Sequence, residues 1–202
     1  MKLIHRWMYS ILLAVVAASL LSACTGNVRP TAPGESPQAA VEEARQDVRT
    51  MAEETLQMLY SKQPAARGAV EKSAGYAVFS NFGMKILVAG GGTGKGLAVN
   101  NKTHEEIFMR MAEVQAGLGF GVKKFRLVWV FETQQAFDSF VNSGYQFGGQ
   151  AALSAKAAGV GGGVAGAASV SPGVWVYQIT DDGIAAELAV KGTKYYRDKE
   201  LN

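Results

Sequence analysis

The sequence predicts an α+β domain in which N-terminal amphipathic helices pack on a curved, mostly antiparallel, glycine-rich β-sheet that curls toward a barrel. Three observations predict this fold. A stretch with helical periodicity begins at Ser36. Beyond Gly75, short runs rich in β-branched and aromatic residues alternate with turn residues. Of the 24 glycines, 21 lie between Gly75 and Gly192, which disfavours helices there because each glycine costs about 1 kcal/mol relative to alanine in a helix.

The first helix is predicted from Ser36 to about Lys62. A serine N-cap followed by Pro37 is typical of a helix start. Apolar side chains then recur at spacings of three and four, and charged residues occupy the remaining surface. We expect this helix to pack against its own domain. The alternative is a helix lying on a membrane, which the shortage of Lys and Arg on its polar face disfavours. Pro64 can begin a second, short helix that ends near Lys72.

The segments after residue 75 are predicted to be mainly strands. Turns are predicted at residues 100–101 and 181–183, and Thr133 is predicted to cap a short helix that ends at Gly144. The glycine-rich residues 90–96 are interpreted as a bend between strands. The predicted strands are residues 76–79, 84–88, 97–99, 107–111, 117–122, 126–131, 174–179, 184–190 and 193–196.

The N-terminus resembles the signal peptide and lipobox of a bacterial lipoprotein. Two basic residues, Lys2 and Arg6, precede an apolar run over residues 11–21, and the only cysteine of the chain, Cys24, follows Leu21-Ser22-Ala23. This pattern predicts that the signal peptide is removed and that Cys24 is acylated. The alternatives are an uncleaved anchor helix and a secreted protein with a free thiol.

These features predict three segments: residues 1–23 as the removed signal peptide, residues 24–35 as a lipidated tether, and residues 36–202 as a single domain. Thr25 is not the aspartate that typically retains lipoproteins in the inner membrane, so we expect the periplasmic face of the outer membrane. Acylation of Cys24 would leave no thiol for a disulfide or a nucleophile.

Charge argues against nucleic acid as a partner. The chain has 20 Lys and Arg against 17 Asp and Glu, and removal of Lys2 and Arg6 with the signal peptide leaves 18 against 17. A nearly neutral mature chain lacks the overall basic excess that is typical of proteins that bind nucleic acid.

No catalytic residue, metal site or cofactor is predicted. A phosphate loop needs a glycine where Ala89 stands and Ser or Thr where Gly96 stands. His104 is the only histidine after residue 23 and lies in a polar, turn-like stretch, so a metal cluster built on histidine and cysteine is disfavoured. We expect a protein that is not an enzyme.

Several motifs, taken in their order and spacing, resemble the SYLF, or Ysc84 actin-binding-like, domain. They are residues 74–79, Lys85, the glycines of residues 90–96, residues 127–137, and Gly192-Thr193-Lys194. The resemblance spans roughly residues 37–197. The sequence departs from the family at Ser80, where proline is common.

The resemblance implies lipid binding, since eukaryotic members bind phosphoinositides, some bind actin, and bacterial members are often envelope lipoproteins. Actin and phosphoinositides do not transfer to a bacterial envelope, so we expect anionic lipid headgroups or similar amphiphiles as partners, with the membrane held through the N-terminal acyl chains. The predicted lipid-binding residues are Lys85, which matches a family-like basic position, and the densest basic group, Lys123, Lys124 and Arg126. Lys95, Lys102 and Lys156 are further basic residues that could meet a headgroup. The alternatives are an envelope scaffold that binds a protein or peptidoglycan, and an unrecognised hydrolase.

Overall fold

A computed structural model describes residues 36–86, 89–116, 121–147, 166–180, 183–185 and 192–202. The chain divides into two compact units, Met1–Ala40 and Val41–Asn202. Of the first unit the description covers residues 36–40, where the first helix begins. Cys24 and the predicted signal peptide and tether lie outside the described residues.

The described residues contain three helices, each close to a predicted position. The Ser36 hydroxyl accepts a hydrogen bond from the amide of Ala39 at 3.2 Å, and the Thr133 hydroxyl accepts one from Ala136 at 3.3 Å, which confirms both predicted N-caps. The third helix ends before Gly144, whose φ is 68°. None of the described helices combines the length and apolarity needed to cross a membrane. Their bounds are α1 Pro37–Lys62, α2 Ala65–Lys72 and α3 Gln134–Ser143.

The described strands form one nine-stranded sheet that curls into a half-barrel, and every described pairing is antiparallel. The strand order is β5-β9-β3-β2-β1-β4-β7-β6. The remaining strand, β8, pairs with β7 and stands outside this linear order. The bounds are β1 Gly75–Ile86, β2 Ala89–Asn100, β3 Glu106–Ala116, β4 Gly121–Phe131, β5 Tyr145–Phe147, β6 Ala168–Ser171, β7 Val174–Thr180, β8 Gly183–Ala185 and β9 Thr193–Arg197.

Two predictions about the first strands were wrong. The interruption predicted between residues 79 and 84 is absent, and β1 is continuous. The glycine-rich residues 90–96 are part of β2 instead of a bend. The glycines of this segment leave room for neighbouring side chains. A Cβ on Gly96 would overlap the Phe79 ring, and one on Gly94 would lie 2.7 Å from Cγ of Met111. The bare backbone of β2 therefore lets large side chains of β1 and β3 lie across it.

Helices cover both faces of the sheet. We call the face under α1 and α2 the α1 face and the opposite one the α3 face. Alternating strand residues supply the two apolar layers, as the period of two requires. On the α1 face, the helices pack on Val78, Leu97, Phe108, Val128, Val130 and Tyr177. On the α3 face, Phe137, Phe140 and Val141 of α3 join Phe79, Met109, Met111, Leu127, Trp129, Phe131 and Tyr195. The predicted α+β fold, with helices packed on a curved antiparallel sheet, is confirmed.

Arginines attach the N-terminal half of α1 to the sheet. Nε of Arg45 donates to the Leu201 carbonyl at 2.8 Å, and Nε of Arg49 donates to Oε2 of Glu106 at 2.8 Å. Both guanidinium groups also lie over the Phe108 ring, at 5.8 and 5.4 Å from its centroid. These contacts position α1 across one half of the α1 face, and the other half carries the candidate site.

Candidate functional site

The half of the α1 face beyond α1 carries a group of exposed side chains, most of them basic or apolar. Three are lysines that come from three different strands, β2, β4 and β9. We call this surface the lysine face and define it by Thr93, Lys95, Val114, Lys124, Lys194 and Tyr196, all of which are exposed.

Strand register places these residues side by side. From Lys124 the Cα partners run through one residue of β1 to Thr93, then to Ala112, and then to Lys194. Residues opposite one another in a ladder share a face of the sheet. Four ladder steps of about 4.8 Å separate Lys124 from Lys194 by roughly 19 Å. Lys95 lies between them, two residues beyond Thr93 on β2.

The lysine face is rich in positive charge, and two of its lysines, Lys95 and Lys194, are not neutralised as the neighbouring arginines are. Within the described part of the chain, Lys95 and Lys194 make no ion pair. Arg110, which neighbours Lys95 in the ladder, is bound by Asp198 at 2.7 Å and by Glu200 at 2.6 Å. The hydrogen bond that Nε of Arg110 donates to the Asp198 carboxylate raises the pKa of Arg110.

Comparisons with known proteins identify the family. The family model Ysc84, described as "Las17-binding protein actin regulator", matches residues 112–202. The matched segment, residues 112–202, belongs to the SYLF (Ysc84) family. It is also similar to Beta cell expansion factor A of Aeromonas veronii, with 33% identity over 162 residues, which cover 79% of this chain and 59% of that protein. The chain therefore spans about three fifths of the length of this relative. The predicted family is confirmed.

The residues of the SYLF domain that match the family model include most of the lysine face. Val114 and Lys124 lie in the matched segment, and so do Lys194 and Tyr196. The segment begins at Ala112 in β3 and runs through β4, α3 and the remaining strands.

Three of the predicted basic residues lie at one end of the β1–β4 ladder. Lys85 of β1 has Gly121 of β4 as its Cα partner, and Gly83 of β1 has Lys123. The fold thus brings the backbones of Lys85 and Lys123 together although 37 residues separate them in the sequence. Only the backbone of these two residues is described. Lys124 belongs to the lysine face, where its side chain is exposed.

Arg126 has a different environment from Lys124, although both lie on the α1 face. Its Nη1 donates to the hydroxyl of Thr55 at 2.9 Å, and its Nη2 lies 3.5 Å from Oε2 of Glu54. Thr55 is fully buried in α1 and also donates to the Met51 carbonyl at 2.7 Å. Arg126 therefore joins α1 to β4. From the pattern of basic residues alone, an arginine that packs in this way could not be distinguished from an exposed cation.

The sequence analysis missed Lys194 and Val114 as site residues. Lys194 is one lysine in a short strand, and Val114 is one apolar residue in an alternating strand. Strand alternation would have placed each on a face, but the pairing of β9 with β3 is what brings both beside Lys95. No local signal specifies that pairing.

The described residues offer little for catalysis or metal binding. None of their His, Asp and Glu side chains form a group of three or more that could hold a metal ion. His104 is exposed in the turn between β2 and β3, with φ of 59°. β2 leads into β3 and not into a helix, so a phosphate would find no helix N-terminus after the glycine-rich segment.

Proposed function

We propose that this SYLF protein is a non-enzymatic, lipid-anchored component of the bacterial envelope that binds anionic lipid surfaces. The observation that supports it best is the lysine face, where Lys95, Lys124 and Lys194 are exposed on the same side of the sheet. The ligand class is an anionic lipid or a similar amphiphile, and the binding surface extends toward the end of the sheet where Lys85 and Lys123 lie.

The magnitude of the attraction fits a surface that selects lipids without anchoring the protein alone. Each lysine close to an anionic membrane contributes about 1 kcal/mol. Three lysines therefore give a total near 3 kcal/mol, or about 100-fold in membrane affinity. Their spacing of roughly 10–20 Å exceeds the Debye length of about 8 Å at physiological salt, so each lysine acts almost independently.

The proposed acyl chains on Cys24 complement this weak attraction. Stable membrane attachment generally takes two signals, such as acyl chains and a basic surface. The twelve residues 24–35 reach at most about 40 Å when fully extended. A tether of this length would keep the domain close enough for the lysine face to meet the same membrane.

A non-enzymatic role is consistent with the side chains of the lysine face. Lysine, threonine and valine residues on a flat strand surface provide charge and contact area, but no carboxylate or imidazole is present among them to serve as a general base. A headgroup on this surface would be held by charge and would not be converted.

Co-sedimentation with lipid vesicles tests the proposal. The mature chain from residue 24, with Cys24→Ser to prevent acylation, is mixed with phosphatidylcholine vesicles with or without phosphatidylglycerol. We expect binding that requires phosphatidylglycerol and weakens with salt. Replacement of Lys95, Lys124 and Lys194 by Gln should lower the partition coefficient about 100-fold, since about 1 kcal/mol is lost per lysine.

A matched control variant separates position from net charge. Replacement of three other exposed lysines, Lys62, Lys72 and Lys102, by Gln removes the same charge from outside the lysine face and should leave binding nearly unchanged. Equal loss in both variants would show nonspecific electrostatics. Equal binding to both kinds of vesicle, with one stoichiometric protein partner captured by crosslinking, would favour the envelope scaffold instead.

A further inference from the structure

Val114 is the most exposed large apolar side chain among the described residues, with 70% of its surface accessible. Its exposure has a structural cause in the two neighbouring strands. The Cα partner of Val114 on β2 is Gly91, and on the β9 side the Val114 amide donates to the Gly192 carbonyl at 3.1 Å. Glycine has no side chain, so neither of these two ladder neighbours covers Val114 within its row.

Gly192 cannot readily be replaced by a larger residue. Its φ is 68°, and a Cβ there would lie 2.9 Å from the Val114 carbonyl oxygen. The left-handed conformation and this close approach both require glycine. The backbone at Gly192, just before β9, therefore maintains the gap beside the Val114 side chain.

A single exposed valine is ordinary on a protein surface, but the neighbours of Val114 include a lysine and a tyrosine. Lys194 and Thr93 are its diagonal neighbours in the ladder. Tyr196, which is 38% exposed, lies two residues beyond Lys194, and tyrosine favours the boundary between water and lipid. An apolar side chain that projects among lysines matches a bilayer whose anionic headgroups lie above an apolar interior.

We infer that the lysine face docks on an anionic bilayer and inserts the Val114 side chain below the headgroups, instead of binding a single headgroup in a pocket. This inference rests on the proposed function and adds the way in which the lysine face meets the bilayer. The lysines contact phosphates around the insertion point, while Val114 supplies an apolar contribution that salt does not screen.

A fluorophore attached at position 114 tests the insertion. The full chain carries Cys24→Ser and Val114→Cys, and the new cysteine is labelled with an environment-sensitive dye. The control carries the dye at Ser139→Cys, an exposed position of α3 on the opposite face of the sheet. On vesicles containing phosphatidylglycerol we expect a blue shift and quenching by nitroxide lipids at position 114 and neither at position 139. No shift at position 114, or equal shifts at both positions, would overturn the inference.

A second measurement uses unlabelled variants of the mature Cys24→Ser chain. At about 1 M salt the Debye length is about 3 Å, so the lysine contribution is screened. Val114→Ile adds one methylene group and should raise the residual partition about fourfold. Val114→Thr keeps the shape of the side chain but replaces a methyl by a hydroxyl, so it should lower the residual partition by at least about fourfold.

The two measurements distinguish failure of the inference from failure of the proposed function. If the lysine variant loses binding while the Val114 variants and the dye report no insertion, the protein binds anionic lipid through charge alone and the inference is wrong. If the lysine variant binds as well as the unmodified chain, the proposed function is wrong, and the inference is wrong with it.

Discussion

At the scale of the residue, two buried hydroxyl groups on the α1 face of the sheet differ in how they are satisfied. Thr55 uses its hydroxyl twice, once as donor to Met51 and once as acceptor from Arg126. The Tyr177 hydroxyl is fully buried in the apolar layer of the α1 face and has no hydrogen-bond partner in the described part of the chain. A buried polar atom without a partner costs about 1–3 kcal/mol.

Replacement of Tyr177 by Phe should therefore increase stability. The ring and its packing are kept while the hydroxyl is removed, so we expect the free energy of unfolding to rise by about 1 kcal/mol. Urea denaturation of the mature chain measures this change. Tyr196→Phe, at an exposed position, serves as the control and should change little. A clear loss of stability in Tyr177→Phe would mean that a bound water satisfies the hydroxyl.

At the scale of the element, α1 determines which half of the α1 face is available for binding. The helix covers one half and is held there by Arg45 and Arg49 near its N-terminal half and by Arg126 near its middle. Arg126 and Lys124 are two residues apart on β4 and share a face, but only Arg126 is covered by the helix. On this strand, Arg126 thus packs against α1, whereas Lys124 belongs to the lysine face.

Single substitutions at these two positions should have opposite effects. Arg126→Gln removes the hydrogen bond to Thr55 and the ion pair with Glu54, so we expect it to lower the free energy of unfolding by about 1 kcal/mol and to change vesicle binding less than twofold. Lys124→Gln should leave stability within about 0.5 kcal/mol and lower vesicle binding several-fold. Denaturation and co-sedimentation of the same two variants give the comparison. A strong loss of lipid binding in Arg126→Gln would contradict this expectation and would show that Arg126 takes part in lipid binding.

At the scale of the whole molecule, tyrosines between the helices and the sheet link folding to alkaline pH. Burial raises the pKa of Tyr177 to about 12. Burial, followed by the nearby Tyr76, raises the pKa of Tyr60 to about 12 as well. The folded state therefore favours the neutral phenol more than the unfolded chain does, where the tyrosine pKa is about 10.

We expect stability to decline between pH 10 and 12. For groups whose pKa is raised on folding, the contribution is fully present below the unfolded value and is lost as pH rises through the folded value. Thermal denaturation from pH 8 to pH 12, with absorbance of tyrosinate recorded in parallel, measures this loss. Tyr177→Phe should decline less steeply over the same interval. Tyrosine ionisation that precedes unfolding at pH 10 would contradict the assigned pKa shifts.

Much of the fold was predictable because its signals are local. The Ser36 and Thr133 caps, the amphipathic period of α1, and the β-rich runs of residues 126–131 and 174–179 depend on neighbouring residues, and the structure has these helices and strands where they were predicted. The division of β1 into two strands was wrong because Ser80 and Asn81, which favour turns in isolation, are paired on both sides by β2 and β4. Tertiary pairing overrides a weak local preference.

The candidate site was less predictable than the fold. Lys124 was identified from the sequence, but Arg126 in the same basic group packs against α1. Lys194 and Val114 required the β3–β9 pairing, which joins residues about 80 positions apart. The lipidation of Cys24 and the lipid-binding role of Lys85, Lys123, Lys124 and Arg126 stay predictions.

The sequence by itself determined the family, the fold class, the positions of the helices and the near balance of 20 basic and 17 acidic residues, because composition, periodicity and motif order express these properties directly. Only the tertiary structure decided which cations are exposed and which are neutralised, and that Val114 projects between two glycines among the lysines. The physical reason is that exposure depends on what lies opposite a residue in the sheet and above it in the helix layer, and those neighbours come from distant parts of the chain.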